Sequence, residues 1–292
     1  MKTSRILVLA GSALLLALSG CDDDSGTGKL SLGVTDAPVD NASAVVVQFT
    51  GVEVKPEDGS ARSFDFDEPR QVDLLALTGT DSELLLDAVE VESGRYNWVR
   101  LKVQATADGV MDSYITIDGV QHELYVPSGD ETGLKLNNGF RVPNGGAAAF
   151  TVDFDLRKSV HEPMNAEDSY MLRPTLRIVD NARAGAIAGT VDNTWVVEGC
   201  TPAVYVFAGS GVTPDDVDGS APDTVTSARV ALNTTSGHYE YTAGFLAEGS
   251  YTVTFTCDAA GDDPVTDDTL DFAGTQNATV VAEQTTTVNF GP

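Results

Sequence analysis

Basic residues are scarce in this sequence: 17 Lys and Arg stand against 44 Asp and Glu in 292 residues, for a net charge of −27. That deficit excludes nucleic acid and anionic lipid headgroups as partners of the bulk surface. Histidine is equally rare. His122, His161 and His238 lie far apart, and none has a second His or a Cys at ligand spacing, which excludes an ordinary zinc site. Cysteine is limited to Cys21, Cys200 and Cys257, with no Cys-x-x-Cys pair. Enzyme signatures are missing as well: there is no Gly-x-Ser-x-Gly elbow, no phosphate-binding loop and no His-Glu-x-x-His. Carboxylates are so abundant that a pair of them says nothing about catalysis. No catalytic residue and no cofactor is assigned, and the chain is read as a non-enzyme. No helix of useful length and no repeat of fixed period is legible.

The one long apolar run, residues 6–18, is too short to cross a bilayer as a permanent helix. It follows Lys2 and Arg5 and ends Leu18-Ser19-Gly20-Cys21. This arrangement resembles the lipobox of bacterial lipoproteins. The resemblance implies that residues 1–20 are a signal peptide and that a lipid on Cys21 holds the mature chain to a membrane without a transmembrane helix. Asp22 resembles the signal that retains enteric lipoproteins in the inner membrane. The expected address is the cell envelope, facing the periplasm, at the inner membrane, with the outer membrane or cell surface as the alternative.

Residues 21–28 read as an acidic tether. A first domain is expected over 29–181 and a second over 182–292, where only Arg183 and Arg229 are basic. Both read as β. Val99, Leu101 and Val103 alternate with Arg100 and Lys102, and Phe150, Val152 and Phe154 alternate with Thr151 and Asp153, the period of strands with one buried face. Asp118-Gly119 suits a two-residue hairpin turn. A short helix competes over 72–77, where Asp73 could cap it. In the second domain strands are expected near 186–191, 203–207, 228–232, 238–242, 250–257, 269–272 and 288–290, a spacing that fits a sandwich. The fold class is all-β, two tandem β-sandwich domains after the signal peptide.

Several motifs carry a family resemblance. Leu32-Gly33-Val34-Thr35-Asp36-Ala37-Pro38-Val39-Asp40, Phe49-Thr50-Gly51-Val52, Val72-Asp73-Leu74-Leu75, Gly94-Arg95-Tyr96, Val126-Pro127-Ser128-Gly129, Phe154-Asp155-Leu156-Arg157-Lys158-Ser159 and Leu172-Arg173-Pro174-Thr175 follow in order. Together they resemble the bacterial family called domain of unknown function 4382. That resemblance implies an envelope lipoprotein domain without an assigned activity, and it brings no catalytic residues. Ala188-Gly189-Thr190-Val191, Gly237-His238-Tyr239 and Leu246-Ala247-Glu248-Gly249-Ser250-Tyr251 resemble transthyretin-like or carboxypeptidase-regulatory-like sandwiches. Such modules are accessory, and some relatives bind carbohydrate.

Three constellations could carry chemistry. Asp216, Asp218 and Asp223 stand around an Asp-x-Asp-Gly element, the spacing by which calcium loops converge their oxygens. Pro214 and Val225 occupy the positions where an EF-hand needs its first Asp and last Glu, so no metal is assigned. A second acidic run holds Asp258, Asp262, Asp263, Asp267 and Asp268. Tyr96 and Trp98 share a strand face with Arg100 and Lys102 and could stack a sugar ring; the alternative pairs those cations with Asp153 and Asp155 across strands. Cys200 and Cys257 form an even pair in an exported chain and are expected to bridge. The function expected from these features is a non-catalytic, lipid-anchored envelope protein that binds or scaffolds a glycan or an envelope protein. The alternative is an envelope hydrolase acting on polysaccharide or peptidoglycan through carboxylates.

Overall fold

The computed structural model describes residues 26–37, 42–127, 133–161 and 169–292. Cys21, the expected signal peptide and all but the end of the expected tether lie outside the described residues. The first half of the chain forms β1 (Thr27–Ala37), β2 (Ala44–Pro56), β3 (Arg62–Asp73), β4 (Glu83–Glu92), β5 (Gly94–Gln104), β6 (Tyr114–Ile117), β7 (Val120–Tyr125), β8 (Leu134–Leu136), β9 (Phe140–Val142), β10 (Ala147–Asp155), a single helical turn α1 (Leu156–Ser159), β11 (Val160–His161), β12 (Tyr170–Leu172) and β13 (Thr175–Asp180). The second half forms β14 (Ala184–Val191), β15 (Ala203–Ala208), β16 (Thr224–Arg229), β17 (Ala231–Asn233), β18 (His238–Ala247), β19 (Gly249–Thr256), β20 (Phe272–Val280) and β21 (Thr285–Thr287). Thr27 and Gly28, read as tether, already pair with β4.

Two sheets face each other in the first half. One has the order β13-β10-β1-β4, with β1 parallel to β10 and antiparallel to β4. The other runs β11-β12-β7-β6-β2-β5-β8, with β3 added on β2 and β9 on β5. Leu30, Leu32 and Val34 of β1, and Phe150, Val152 and Phe154 of β10, point into a common core. They meet Val45, Val47, Phe49, Val52 and Val54 of β2, with the Phe49 and Phe154 rings edge-on at 6.4 Å. The buried residues of β2 change phase between Phe49 and Val52 because the ladder slips there. Gly51 makes this possible, since a Cβ at that position would lie 2.6 Å from the Phe64 carbonyl. Burial of each such side chain contributes roughly 1.5–3 kcal/mol.

The expected hairpin is present: Asp118 and Gly119 join β6 to β7 with φ of 51° and 78°. The expected helix over 72–77 shrinks to one 3-10 turn, Leu74–Ala76, whose first free amide, that of Leu75, donates to the Asp73 carboxylate.

The second half is also a pair of sheets, β17-β18-β14-β21 and β16-β15-β19-β20. Ile187, Val204, Val206, Tyr241, Val253 and Phe255 fill the space between them. β15 is buried on both faces. Its outer side, Ala203, Tyr205 and Phe207, is covered by Val217 and Ala259 from the two long acidic loops. Cys200 and Cys257 are joined by a disulfide. Two expected strands are displaced. Residues 269–271 are irregular, and the strand runs from Phe272 to Val280 as a largely exposed, polar edge with no alternation to read. The last strand is Thr285–Thr287, and Phe290 makes only one bridge, to Val191.

Candidate functional site between the sandwiches

The expected aromatic face is half dismantled. The ladder between β2 and β5 slips beside Asn97, so Tyr96 turns into the core, where it is 3% exposed, stacks on Phe140 at 4.9 Å and donates from its hydroxyl to the Glu92 carbonyl. A bulge reverses side-chain direction, and strict alternation could not foresee it. Trp98 stays at the surface between Arg100 and Lys135, whose charged groups lie 5.0 and 4.6 Å from its ring. The cations on this face do pair across strands, with other partners than expected. Arg100 binds Glu53 at 2.8 Å and Lys102 binds Asp65 at 2.6 Å.

The calcium candidates separate. Asp218 accepts from the Ser220 amide, and Asp223 pairs with Lys158 at 2.8 Å. Asp216 instead joins Asp262 and Asp268, with carboxylate oxygens within 4.8 Å of one another. Two acidic loops far apart in sequence supply this trio, so no local motif could announce it. Its oxygens are largely engaged. The Asp268 amide donates to Asp216 at 2.5 Å, the Val217 amide to Asp262 at 3.0 Å, and the Tyr205 hydroxyl also donates to Asp262. Burial pushes the Asp262 carboxyl up, while Tyr205, Val217 and Arg157 pull it back.

Arg157, Lys158 and Arg177 of the first half reach across to the second. Arg157 of α1 donates to the Ala259 carbonyl at 2.7 Å and stands 3.9 Å from Asp262. Lys158 reaches Asp223 and donates to the Thr224 carbonyl at 2.9 Å. Arg177 of β13 donates to the Phe245 carbonyl at 2.8 Å and grips Asp153 at 2.5 Å. α1 points its cations outward because Asp155 caps it through the Lys158 amide and Leu156 plugs the core.

Between these contacts lies a polar cavity of about 310 Å³. Its walls are the end of β1, the loop 78–81 and Asp153 from the first half, and β16 to β18 from the second. The loop is pinned by the Thr35 hydroxyl, which donates to the Asp81 carbonyl at 2.7 Å. Gly244 lets β18 approach, because a Cβ there would collide with the Gly79 carbonyl at 1.9 Å. Ser227 and Thr242 line the cavity, and their hydroxyls have no hydrogen-bond partner among the described residues. Asp153 uses one oxygen on Arg177 and leaves the other without a partner among the described residues. Asp36, at the same border, has both carboxyl oxygens buried without a fully formed hydrogen bond. Burial first, then the charges of Asp153 and Asp155, hold its carboxyl well above the usual range; the Leu156 amide offsets this only in part. Nothing in the sequence marks this cavity, because its residues come from five separate segments.

No curated protein matches the chain. Solved structures do. The Bacillus anthracis TIE protein shares 12% identity over 91% of this chain with a TM-score of 0.20, and the chain spans 33% of its length. GBS52, the minor pilin of Streptococcus agalactiae, shares 11% identity, covering 91% of this chain and 94% of its own, with a TM-score of 0.20. A Bacteroides fragilis protein assigned to cell adhesion shares 10% identity, covering 89% and 91%, with a TM-score of 0.23. At these scores none is a superimposable fold. The sequence itself is more specific: the profile described as a domain of unknown function (DUF4382) matches residues 27–174, from the first residue of β1 to the turn before β13, and the chain belongs to that family.

Proposed function

We propose that this chain is a non-catalytic, lipid-anchored module of the bacterial cell envelope that binds or scaffolds an envelope component. The observation that carries the binding role is the cavity between the sandwiches, whose polar groups lack protein partners. Asp36 is buried there without a full hydrogen bond, and Ser227, Thr242 and Asp153 present solvent-reachable polar atoms that no protein group among the described residues occupies, the convergent polar lining of a ligand pocket. The anchor is Cys21 at the end of Leu18-Ser19-Gly20-Cys21, and Asp22 favours the inner membrane, with the domains facing the periplasm. No helix among the described residues is long and apolar enough to cross a membrane. A separate core in each half supports the division into a domain over 29–181 and an accessory, transthyretin-like domain over 182–292.

One observation favours the second reading, an envelope hydrolase. Burial and the neighbouring Asp153 and Asp155 hold the Asp36 carboxyl well above the usual range, the environment of a general acid. Against it, Asp153 is already held by Arg177. A single experiment separates the readings. Full-length protein in detergent is sedimented with peptidoglycan and envelope polysaccharide, and released reducing ends are counted. Retention without release is the expected result. Release that disappears in Asp36→Asn would replace this reading with the hydrolase. Palmitate labelling of the wild type, lost in Cys21→Ser, tests the anchor; equal labelling of both would overturn it.

A further inference from the structure

We infer that the cavity between the sandwiches takes a small neutral polyhydroxylated ligand, a single sugar ring in contact with Ser227, Thr242 and the unpaired oxygen of Asp153. The inference rests on the binding role proposed above and adds the place and the ligand class. Size is the first argument. A volume of about 310 Å³ sits at the lower end of small-molecule pockets. It suits one ring, free or at the end of a polymer.

Charge is the second argument. Four carboxyl groups border the cavity: Asp36, Asp81, Asp153 and Glu240. Asp153 is neutralised by Arg177, and burial favours the uncharged form of Asp36. Glu240 is tied to Asn233 and Ser236, and Arg229 stands on the same wall. With Arg229 set against Glu240, Asp81 remains as one negative charge, which repels an anion and falls short of the several carboxylates a polycation needs. A divalent ion would need converging carboxylates, and the trio that provides them among the described residues is elsewhere, at Asp216, Asp262 and Asp268.

Hydrogen-bonding capacity is the third. The hydroxyls of Ser227 and Thr242 both donate and accept, and the remaining Asp153 oxygen accepts. Vicinal hydroxyls of a sugar answer that mixture, whereas an apolar ligand would leave each group unpaired at a cost. The walls are preorganised by the close Gly79–Gly244 approach and by Arg177 bound to Phe245.

The test is calorimetry on the full chain in detergent micelles, titrated with glucose, galactose, mannose and N-acetylglucosamine. Saturable one-to-one binding of at least one of them is expected. The double variant Ser227→Ala/Thr242→Val should weaken it at least tenfold, while Ser227→Thr/Thr242→Ser retains it and Trp98→Ala leaves it unchanged. Saturable binding that survives the first double variant, or is lost with Trp98→Ala, overturns the location and leaves the binding role standing. Binding of spermidine in place of every neutral sugar overturns the ligand class. Absence of any saturable binding, with retention on envelope polysaccharide intact, overturns this inference alone; absence of both overturns the binding role too.

Discussion

Arg157 and Asp262 face each other at 3.9 Å across the two sandwiches, and neither side chain is more than 4% exposed. The arginine belongs to a four-residue helical turn and the aspartate to a loop that covers β15. Removing one member of a buried ion pair leaves the other charge stranded. Arg157→Met should therefore cost about 3–5 kcal/mol of stability, read as a lower midpoint in urea unfolding. Arg183→Ala, which breaks an exposed pair with Glu248, should leave the midpoint unchanged. Equal midpoints for Arg157→Met and the wild type would show that the bridge between the halves is ornamental.

The disulfide between Cys200 and Cys257 closes a loop with a sequence separation of 57. In the chain-entropy model such a link contributes about 4 kcal/mol. Cys200→Ala/Cys257→Ala should lower the melting transition of the second sandwich far more than that of the first. Calorimetry of the full chain would reveal this as one transition moving away from another, or as a single coupled transition moving down. An unshifted thermogram would contradict the prediction.

Asp36 links stability to pH with a definite sign. The unfolded carboxyl ionises near its ordinary 3.8, whereas the folded one holds its proton to higher pH. Across that window the folded state binds more protons, so stability falls as pH rises. Asp153 and Asp155, also raised by burial, act in the same direction. Asp36→Asn keeps the shape and removes the ionisation. It should melt with the wild type below the ordinary carboxylate range and increasingly above it as pH rises past that range, until the folded carboxyl itself ionises. An advantage that shrinks as pH rises would invert the argument.

Calcium and magnesium at matched ionic strength should raise the melting temperature equally. The trio Asp216, Asp262 and Asp268 already receives amide hydrogens, the Tyr205 hydroxyl and the nearby charge of Arg157, so a further cation gains little. General screening of an acidic chain remains, and it does not distinguish the two ions. A calcium-selective rise that vanishes in Asp216→Ala would establish a site there.

Much of the architecture was legible because burial imposes a period of two. Val99, Leu101 and Val103 point inward as the alternation requires, and Asp118-Gly119 turns a hairpin because both positions demand positive φ. Tyr96 escaped because one extra residue in a strand inverts everything before it, and sequence carries no mark of the slip. The strand Phe272–Val280 escaped for the opposite reason: at a solvated edge, polar residues face both ways. The uninterrupted Ala203-Val204-Tyr205-Val206-Phe207 did signal burial on both faces, a pattern from which the covering loops could have been anticipated. The cavity depends on how two sandwiches meet, and that is settled by single long cations such as Arg177 reaching one carbonyl.

The position of β1 has a mechanical consequence. It lies inside its sheet, parallel to β10 on one side and antiparallel to β4 on the other, and it is the first strand after the segment that would run to the lipid. A pull on Thr27 along that segment loads the strand lengthwise. Its hydrogen bonds lie across the direction of force, so many must fail together where a hairpin end would peel open one bond at a time. Were the chain held through the segment before Thr27, as proposed, drag would meet a strand loaded in shear, the arrangement that resists unfolding best.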